Sequence, residues 1–421
     1  MTPQAQTQAL IELVETFLDI KQKPADQVMH FFFKERRYMG SKDRQSVRDH
    51  FYTLLKKFLF LESLVSYAFK RLPLHEQARK IVLAYHMVRG DGITKLFSGE
   101  RYAPNTLEPD EALFCKNRDV IIKAVKTPAL QANLPIWLYE ELSIIEDFEN
   151  LLPTLTKEAF VDLRVNSLKS STEKMLKTLE GKVEKTPYSP LGLRLLKKEN
   201  VSQLEAYNQG FIEIQDEGSQ LLTLFLNPNP KEKVMDYCAG AGGKTLFIAS
   251  LMQNTGTIIA CDTALWRLNR MKERLRRADA FTVQAKVIDE STTSWFKRHK
   301  GYFDRLLVDA PCSGTGTLRR HPELVLRLTP TEIEELCVKQ QEILQKSSDY
   351  VRVGGILVYA TCSLLEKENE NQVDIFLQNN PNFALCEDET VMDLLKGPYL
   401  KLRPDVHQTD GFFAARLKRL S

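Results

Sequence analysis

The feature that most constrains this chain is a strand, glycine turn and helix that then recurs without the glycines. Val234 and Met235 lead into Asp236, Tyr237, Cys238, Ala239, Gly240, Ala241, Gly242, Gly243, Lys244 and Thr245, and an apolar helical run from Leu246 to Met252 follows. Next, the apolar, β-prone stretch Gly256 to Cys261 ends in Asp262, and a helix is expected from Ala264 to Ala278. A third strand runs from Val283 to Ile288 ahead of Asp289, and a fourth ends in Asp309. Strands that alternate with helices build a parallel α/β sheet. Open sheets of this kind bind ligands beyond the carboxyl ends of their strands. Aspartate is a common turn former, so any one of Asp262, Asp289 and Asp309 is ordinary. Their recurrence at one sheet edge favours a shared ligand.

The glycines of the loop let backbone approach a ligand closely, and the helix amino terminus behind them offers unpaired N–H groups to an anionic group. Two familiar motifs do not fit. A phosphate-binding P-loop needs glycine five positions before Gly243, where this chain has Cys238. The dinucleotide fingerprint needs glycine at position 245, which is threonine. What remains is a nucleoside site in which Asp262, at the end of the second strand, can take both ribose hydroxyls.

Two cysteines fall where two neighbouring strands should end. Cys312 follows Arg305 to Val308 in the run Asp309, Ala310, Pro311, Cys312, Ser313, Gly314, and Cys362 follows Ile356 to Tyr359 in Thr361, Cys362, Ser363. A lone cysteine is most often a small buried residue. Two in matched positions beside a ligand loop point to chemistry.

With these residues the chain resembles the RsmB/NOP family of RNA cytosine-C5 methyltransferases, which use S-adenosylmethionine. The likeness rests on Asp309 to Gly316, on Arg320, His321 and Pro322, and on Thr361, Cys362, Ser363, Glu368 and Asn369. It extends to Gln215 through Ser219 and to Asp410, Gly411, Phe412 and Phe413, so that it covers about half the chain. One departure is clear: the family's usual loop reads Cys-Ala-Ala-Pro-Gly-Gly-Lys, and here Gly240 and Ala241 replace Ala-Pro. Without proline the turn is less fixed in φ.

The resemblance implies an α/β fold with a Rossmann-like class I S-adenosylmethionine methyltransferase domain over residues 231–421. It further implies an all-α NusB-like RNA-binding domain over 1–130 and a small α+β, ferredoxin-like RNA-binding domain over 131–230. Cys238, Ala239, Gly240, Ala241, Gly242, Gly243, Lys244, Asp262, Arg267, Asp289 and Asp309 would line the cofactor site, with Lys244, Arg320 and His321 meeting the RNA. Arg267 is equally at home as a solvated arginine in its basic helix, and His321 as a structural residue. Cys362 would be the attacking nucleophile, and Cys312 the residue that releases the product.

The chemistry asks for such a set. Carbon 5 of cytosine is a poor nucleophile until a thiolate adds at carbon 6. A contact at ring nitrogen 3, for which Asp309 is the candidate, would stabilise the adduct, and a base must later remove the carbon-5 proton. The residues alone leave open which cysteine attacks. Either would need a lowered pKa, with Lys244 or a helix amino terminus as the source of positive potential.

A chain of 421 residues exceeds one ordinary core and suits two or three domains at about 150 residues each. Its seven cysteines form no CxxC pair, which argues against disulfide frameworks and a metal site and suits a reducing cytosol. No stretch approaches a membrane span, and no charged segment followed by an apolar core opens the chain, so a cytoplasmic location is expected. The net charge of +3 barely hints at nucleic acid. Locally, however, Lys34, Arg36, Arg37, Lys42, Arg44 and Arg48 interleave with Phe31, Phe32, Phe33, Tyr38 and Phe51. RNA contact and a solvated basic helix face are equally compatible with that stretch. Residues up to about 130 read as helical, with Leu10, Leu13, Val14 and Phe17 and then Phe51, Leu54, Leu55 and Phe58 on helix faces, and with an exposed loop from Gly90 to Glu111. A monomer acting on ribosomal RNA is the leading expectation. The alternatives are a transfer-RNA cytosine-C5 methyltransferase, a non-catalytic RNA-binding assembly factor and, weakest, a P-loop ATPase.

Overall fold

A computed structural model describes residues 1–20, 23–70, 72–387, 389–396 and 398–421. The chain divides into two compact units, one of residues 1–157 with 318–329, the other of residues 158–317 with 330–421. Among the described residues no helix is long and apolar enough to cross a membrane.

The first unit is helical. Its opening helix, Pro3–Asp19, begins at a Thr2 cap whose Oγ1 accepts from Ala5 N at 3.2 Å, with proline in the first turn, where a missing N–H is harmless. The expected apolar faces are buried: Leu13, Val14, Phe17, Phe51, Leu54, Leu55 and Phe58 are all 0% exposed, and Phe17 meets Phe51 edge-on with ring centroids 5.6 Å apart. The stretch from Gly90 to Glu111 is not simply an exposed loop. It holds a turn of helix at Ile93–Leu96 and enters the Pro109–Lys116 helix, where buried Glu111 receives Arg79 Nη2 at 2.8 Å. The pairing partner is 32 residues away and leaves no local signal.

The second unit carries two sheets. Strands β1 (Asp162–Val165), β2 (Val183–Lys185), β3 (Gly192–Leu195) and β4 (Ile212–Ile214) form an antiparallel sheet in the order β2-β3-β1-β4. It covers a core of Leu163, Val165, Met175, Leu193 and Ile212. The larger sheet contains β5 (Lys233–Asp236), β6 (Thr257–Asp262), β7 (Val283–Val287), β8 (Phe303–Asp309), β9 (Val351–Thr361), β10 (Phe383–Leu385), β11 (Leu395–Lys396), β12 (Tyr399–Leu402) and β13 (Phe412–Arg419). Their order is β11-β12-β13-β9-β8-β5-β6-β7, with β10 on β13. Strands β5 to β9 pair in parallel, and β13 lies antiparallel to β9, as expected for the late strand. The central strands are apolar on both faces, with Val234, Met235, Leu306, Leu307, Val308, Leu357 and Val358 all 0% exposed, because helices cover both sides of a parallel sheet. This is a Rossmann-like α/β arrangement. From β5 the chain winds outward to β6 and β7, then returns to β8 on the other flank of β5. The crevice at that reversal is where such sheets bind ligands.

Candidate active site

The glycine loop opens this crevice. β5 ends at Asp236, and the helix Gly243–Leu251 begins after Gly242, whose φ is +85°. A Cβ on Gly242 would lie 2.4 Å from Met271 Cγ, so both the left-handed backbone and the close approach require glycine. Asp262 braces the loop from the neighbouring strand: Oδ2 accepts from Gly240 N at 3.0 Å and Oδ1 from Ala264 N at 2.7 Å. A carboxylate has about four lone-pair sites, so each oxygen keeps one for a hydroxyl.

Lys244, first in line behind the glycines, reaches across the switch point to Asp309 at the end of β8, with Nζ 2.6 Å from Oδ2. Burial works against the ammonium, but the facing Asp309 carboxylate outweighs it and holds the Lys244 pKa above its ordinary value. Next to this pair, a cavity of about 270 Å³ is lined by Gln215, Asp216, Ser219, Asp236, Cys238, Ala239, Gly243, Lys244, Arg274 and Asp309, among others. Asp236 received no role in the sequence reading. It is 1% exposed, accepts from Thr245 Oγ1 at 2.6 Å through Oδ2, and has no hydrogen-bond partner for Oδ1 among the described residues. Burial first, with Asp309 nearby, pushes its pKa up to about 7. Its signal was available, since β5 ends in aspartate as β6 and β8 do.

The two thiols meet. β8 and β9 are parallel neighbours with Asp309 beside Ala360, which brings the loops after them together and sets Cys312 Sγ 3.3 Å from Cys362 Sγ. Cys362 N also donates to Cys312 Sγ at 3.3 Å. Among the described residues no cysteine forms a disulfide. The expectation of a lowered pKa fails for Cys312: the hydrogen bond with Cys362, then burial, raise it well above the ordinary thiol value.

A fully buried carboxylate, Glu368, fastens the two cysteine loops. It accepts from Ser313 N at 2.9 Å, from Ser313 Oγ and Ser363 Oγ at 2.5 Å each, and from Gln340 Nε2 at 2.9 Å. A third piece of chain joins them where Gly316 N donates to Cys362 O at 2.9 Å and Gly411 N to Gly316 O at 2.8 Å. A Cβ on Gly316 would fall 2.1 Å from the Gly411 carbonyl oxygen, so both motifs need glycine here.

The remaining candidates lie farther out. Arg267 is exposed, with Nη1 3.8 Å from Asp262 Oδ2. Asp289 is exposed after β7, where Ser291 Oγ donates to it at 2.6 Å. Arg320 and His321 belong to segment 318–329, counted with the helical unit, where His321 Nδ1 lies 3.8 Å from Glu323 Oε1. In the basic stretch, Lys34, Arg37, Lys42 and Arg48 are exposed, whereas Arg36 pairs with Glu12 at 3.0 Å and Arg44 donates to Met39 O at 2.8 Å.

Comparison with known proteins identifies the family. The family model described as 16S rRNA methyltransferase RsmB/F matches residues 223–418. Pasteurella multocida ribosomal RNA small subunit methyltransferase B is 31% identical, the match covering 86% of this chain and 80% of that one. A Synechocystis protein named "Probable ribosomal RNA small subunit methyltransferase B" is 35% identical over 69% of this chain and 67% of its own. The crystal structure of PH0851 superposes with a TM-score of 0.80 at 26% identity, covering 100% of this chain and 99% of the other.

Proposed function

Because the chain belongs to the RsmB/F family of 16S rRNA methyltransferases, whose methyl donor is S-adenosylmethionine, we propose that it methylates carbon 5 of a cytosine in small-subunit ribosomal RNA through a covalent cysteine adduct. The observation that carries this reading is the pair of thiols 3.3 Å apart, on loops adjoining the Lys244–Asp309 pair at the carboxyl edge of the sheet.

The donor's site has fitting features. The left-handed turn at Gly242, the Asp262 carboxylate with lone pairs to spare, and the unpartnered buried Asp236 Oδ1 suit a ligand that carries hydroxyls and an ammonium group. When bound, S-adenosylmethionine supplies an electrophilic methyl group on a sulfonium centre. Cys238 to Lys244, Asp262, Arg267, Asp289 and Asp309 would hold it.

Cys362 Sγ bonds to carbon 6, the C5–C6 π pair becomes a C4–C5 double bond, and the C4–N3 π pair moves onto nitrogen 3, which takes up a proton. Asp309, as a carboxylic acid, gives its proton to that nitrogen, remains bonded to the Lys244 ammonium as a carboxylate, and takes the proton back when the adduct is released. After carbon 5 is methylated, a water held by the Cys312 thiol takes its proton, the C5–C6 π bond re-forms, and that thiol hydrogen-bonds to the Cys362 sulfur as the Cys362–C6 bond breaks. The raised Cys312 pKa favours this division, because a thiol that stays protonated is a poor nucleophile at neutral pH. Carbons 5 and 6 are shielded in a stacked helix, so the target must be single-stranded or flipped out. In this reading residues 1–130 form the NusB-like domain, 131–230, with the small antiparallel sheet, the ferredoxin-like one, and 231–421 the catalytic domain of a cytoplasmic monomer. Lys244, Arg320 and His321 would contact the RNA.

The test incubates wild type, Cys312→Ala and Cys362→Ala with unmodified ribosomal RNA and S-adenosylmethionine on a denaturing protein gel. An RNA-linked band that accumulates in Cys312→Ala and is missing from Cys362→Ala is expected. The opposite pattern would exchange the two roles. No adduct and no methyl transfer would leave transfer RNA, or a non-catalytic role, as the alternatives.

A further inference from the structure

A buried carboxylate on the small sheet reaches the glycine loop through one arginine. Glu213 lies in β4 and is 1% exposed. Such a group persists in a protein only when paired. Here it accepts from Arg274 Nη2 at 3.0 Å and from Arg277, both on the helix Leu265–Arg277. The other end of the Arg274 guanidinium points at the loop, where Nη1 donates to the Ala241 carbonyl at 2.8 Å. One turn earlier on the same helix, Met271 packs under Gly242 so closely that no Cβ would fit. Adjacent loop residues are therefore gripped from one helix, by hydrogen bond at 241 and by van der Waals contact at 242.

Ala241 stands where the usual family loop has proline. Proline fixes φ covalently, so its absence leaves the loop more freedom to lose when a ligand binds. A charge-assisted hydrogen bond from a guanidinium that is itself anchored can restore the order. We infer that Arg274, held by Glu213, is a positioning residue for the cofactor, which keeps the Ala241–Gly242 turn in its binding shape where proline is missing. It acts on cofactor affinity and leaves the thiol chemistry alone. A second contact follows the same plan: fully buried Arg164 of β1 donates to Gly243 O at 3.0 Å and to Gln215. The small sheet thus holds the loop at Ala241 and Gly243, on either side of Gly242, but Arg164 is too deeply buried for its replacement to separate positioning from folding.

The inference rests on the methyltransferase reading only through the shared cofactor. The test measures S-adenosylmethionine binding by calorimetry without RNA, and KM and kcat with ribosomal RNA, for Arg274→Ala, Arg274→Lys and Glu213→Gln. Arg274→Ala should weaken cofactor binding and raise its KM about tenfold, which is about 1.4 kcal/mol, with kcat at saturating cofactor within about twofold of wild type. Added guanidinium should restore affinity to Arg274→Ala and do nothing for Glu213→Gln, whose arginine is present but loosened. Arg274→Lys, which keeps charge but cannot serve carboxylate and carbonyl together, should fall between and decides the question if Arg274→Ala does not fold. Unchanged affinity, or a fall in kcat at unchanged KM, would overturn the inference. Since the binding arm contains no RNA, that failure is distinct from failure of the covalent-adduct assay.

Discussion

Replacing Glu368 by glutamine should loosen the cysteine pair, and the hydrogen-bond geometry sets the size of the effect. Glu368 Oε1 accepts from Ser313 N, which cannot reverse, and from Gln340 Nε2, whose amide can turn over only by giving up its other bond to Pro311 O. Oε2 accepts from two hydroxyls, Ser313 Oγ and Ser363 Oγ. The glutamine amide must keep its oxygen on the first side, which turns its NH₂ toward the hydroxyls and forces both to become acceptors. Thr315 Oγ1, 3.2 Å from each, can take one displaced proton but not both in comfort. The two remaining bonds also lose charge assistance, roughly 1 kcal/mol apiece. Together these terms amount to about 2–3 kcal/mol, felt by the serines that flank Cys312 and Cys362. A displacement of order 1 Å at a reacting group can cost about 100-fold in rate. Urea unfolding, kcat on ribosomal RNA, and mass-spectrometric alkylation of the two thiols measure the three consequences. A variant that keeps its stability within about 0.5 kcal/mol and its kcat within about threefold would refute the role assigned to this carboxylate.

Asp236, with a folded pKa of about 7 against 3.8 for the ordinary group, binds its proton more tightly folded than unfolded. Stability should therefore fall as pH rises from 4 to 7, by at most about 1.4 kcal/mol per unit, and Asp236→Asn should flatten that slope in denaturant titrations. A Cβ at Gly316 collides with Gly411, whereas one at Gly301 meets nothing within 4 Å although its φ is +61°. Gly301→Ala should cost about 1–2 kcal/mol of backbone strain without touching activity, and Gly316→Ala should cost more and depress kcat, as paired unfolding and methyl-transfer assays would reveal. Phe17→Ala removes a ring that is 0% exposed against Phe51 and Phe58 and should destabilise the helical unit by about 3–5 kcal/mol. Calorimetry should show the loss in that unit's transition, with cofactor binding by the second unit retained.

Local chemistry determined much of this protein before any folding was considered. Alternation of apolar strands with helices, glycines at a turn that needs φ of +85°, and aspartates at strand ends are properties of neighbouring residues. They fixed the α/β sheet, the cofactor loop, the antiparallel last strand, and two cysteines beyond adjacent strands. The helical faces of Phe17 and Phe51 were legible for the same reason. Only tertiary structure decided what depends on partners distant in sequence. The thiols that meet at 3.3 Å are 50 residues apart, Lys244 and Asp309 are 65 apart, and Ser313 and Glu368 are 55 apart. Periodicity could not disclose β2, of whose three residues the last two are exposed, or the pairing that buries Glu111. Nor could it give the direction of the Cys312 pKa, because a proton's affinity is set by burial and by the thiol across the cleft. Hydrophobic pattern and turn preference act over a few residues and survive in the sequence. Electrostatics and close packing act through space, and exist only once the chain has closed on itself.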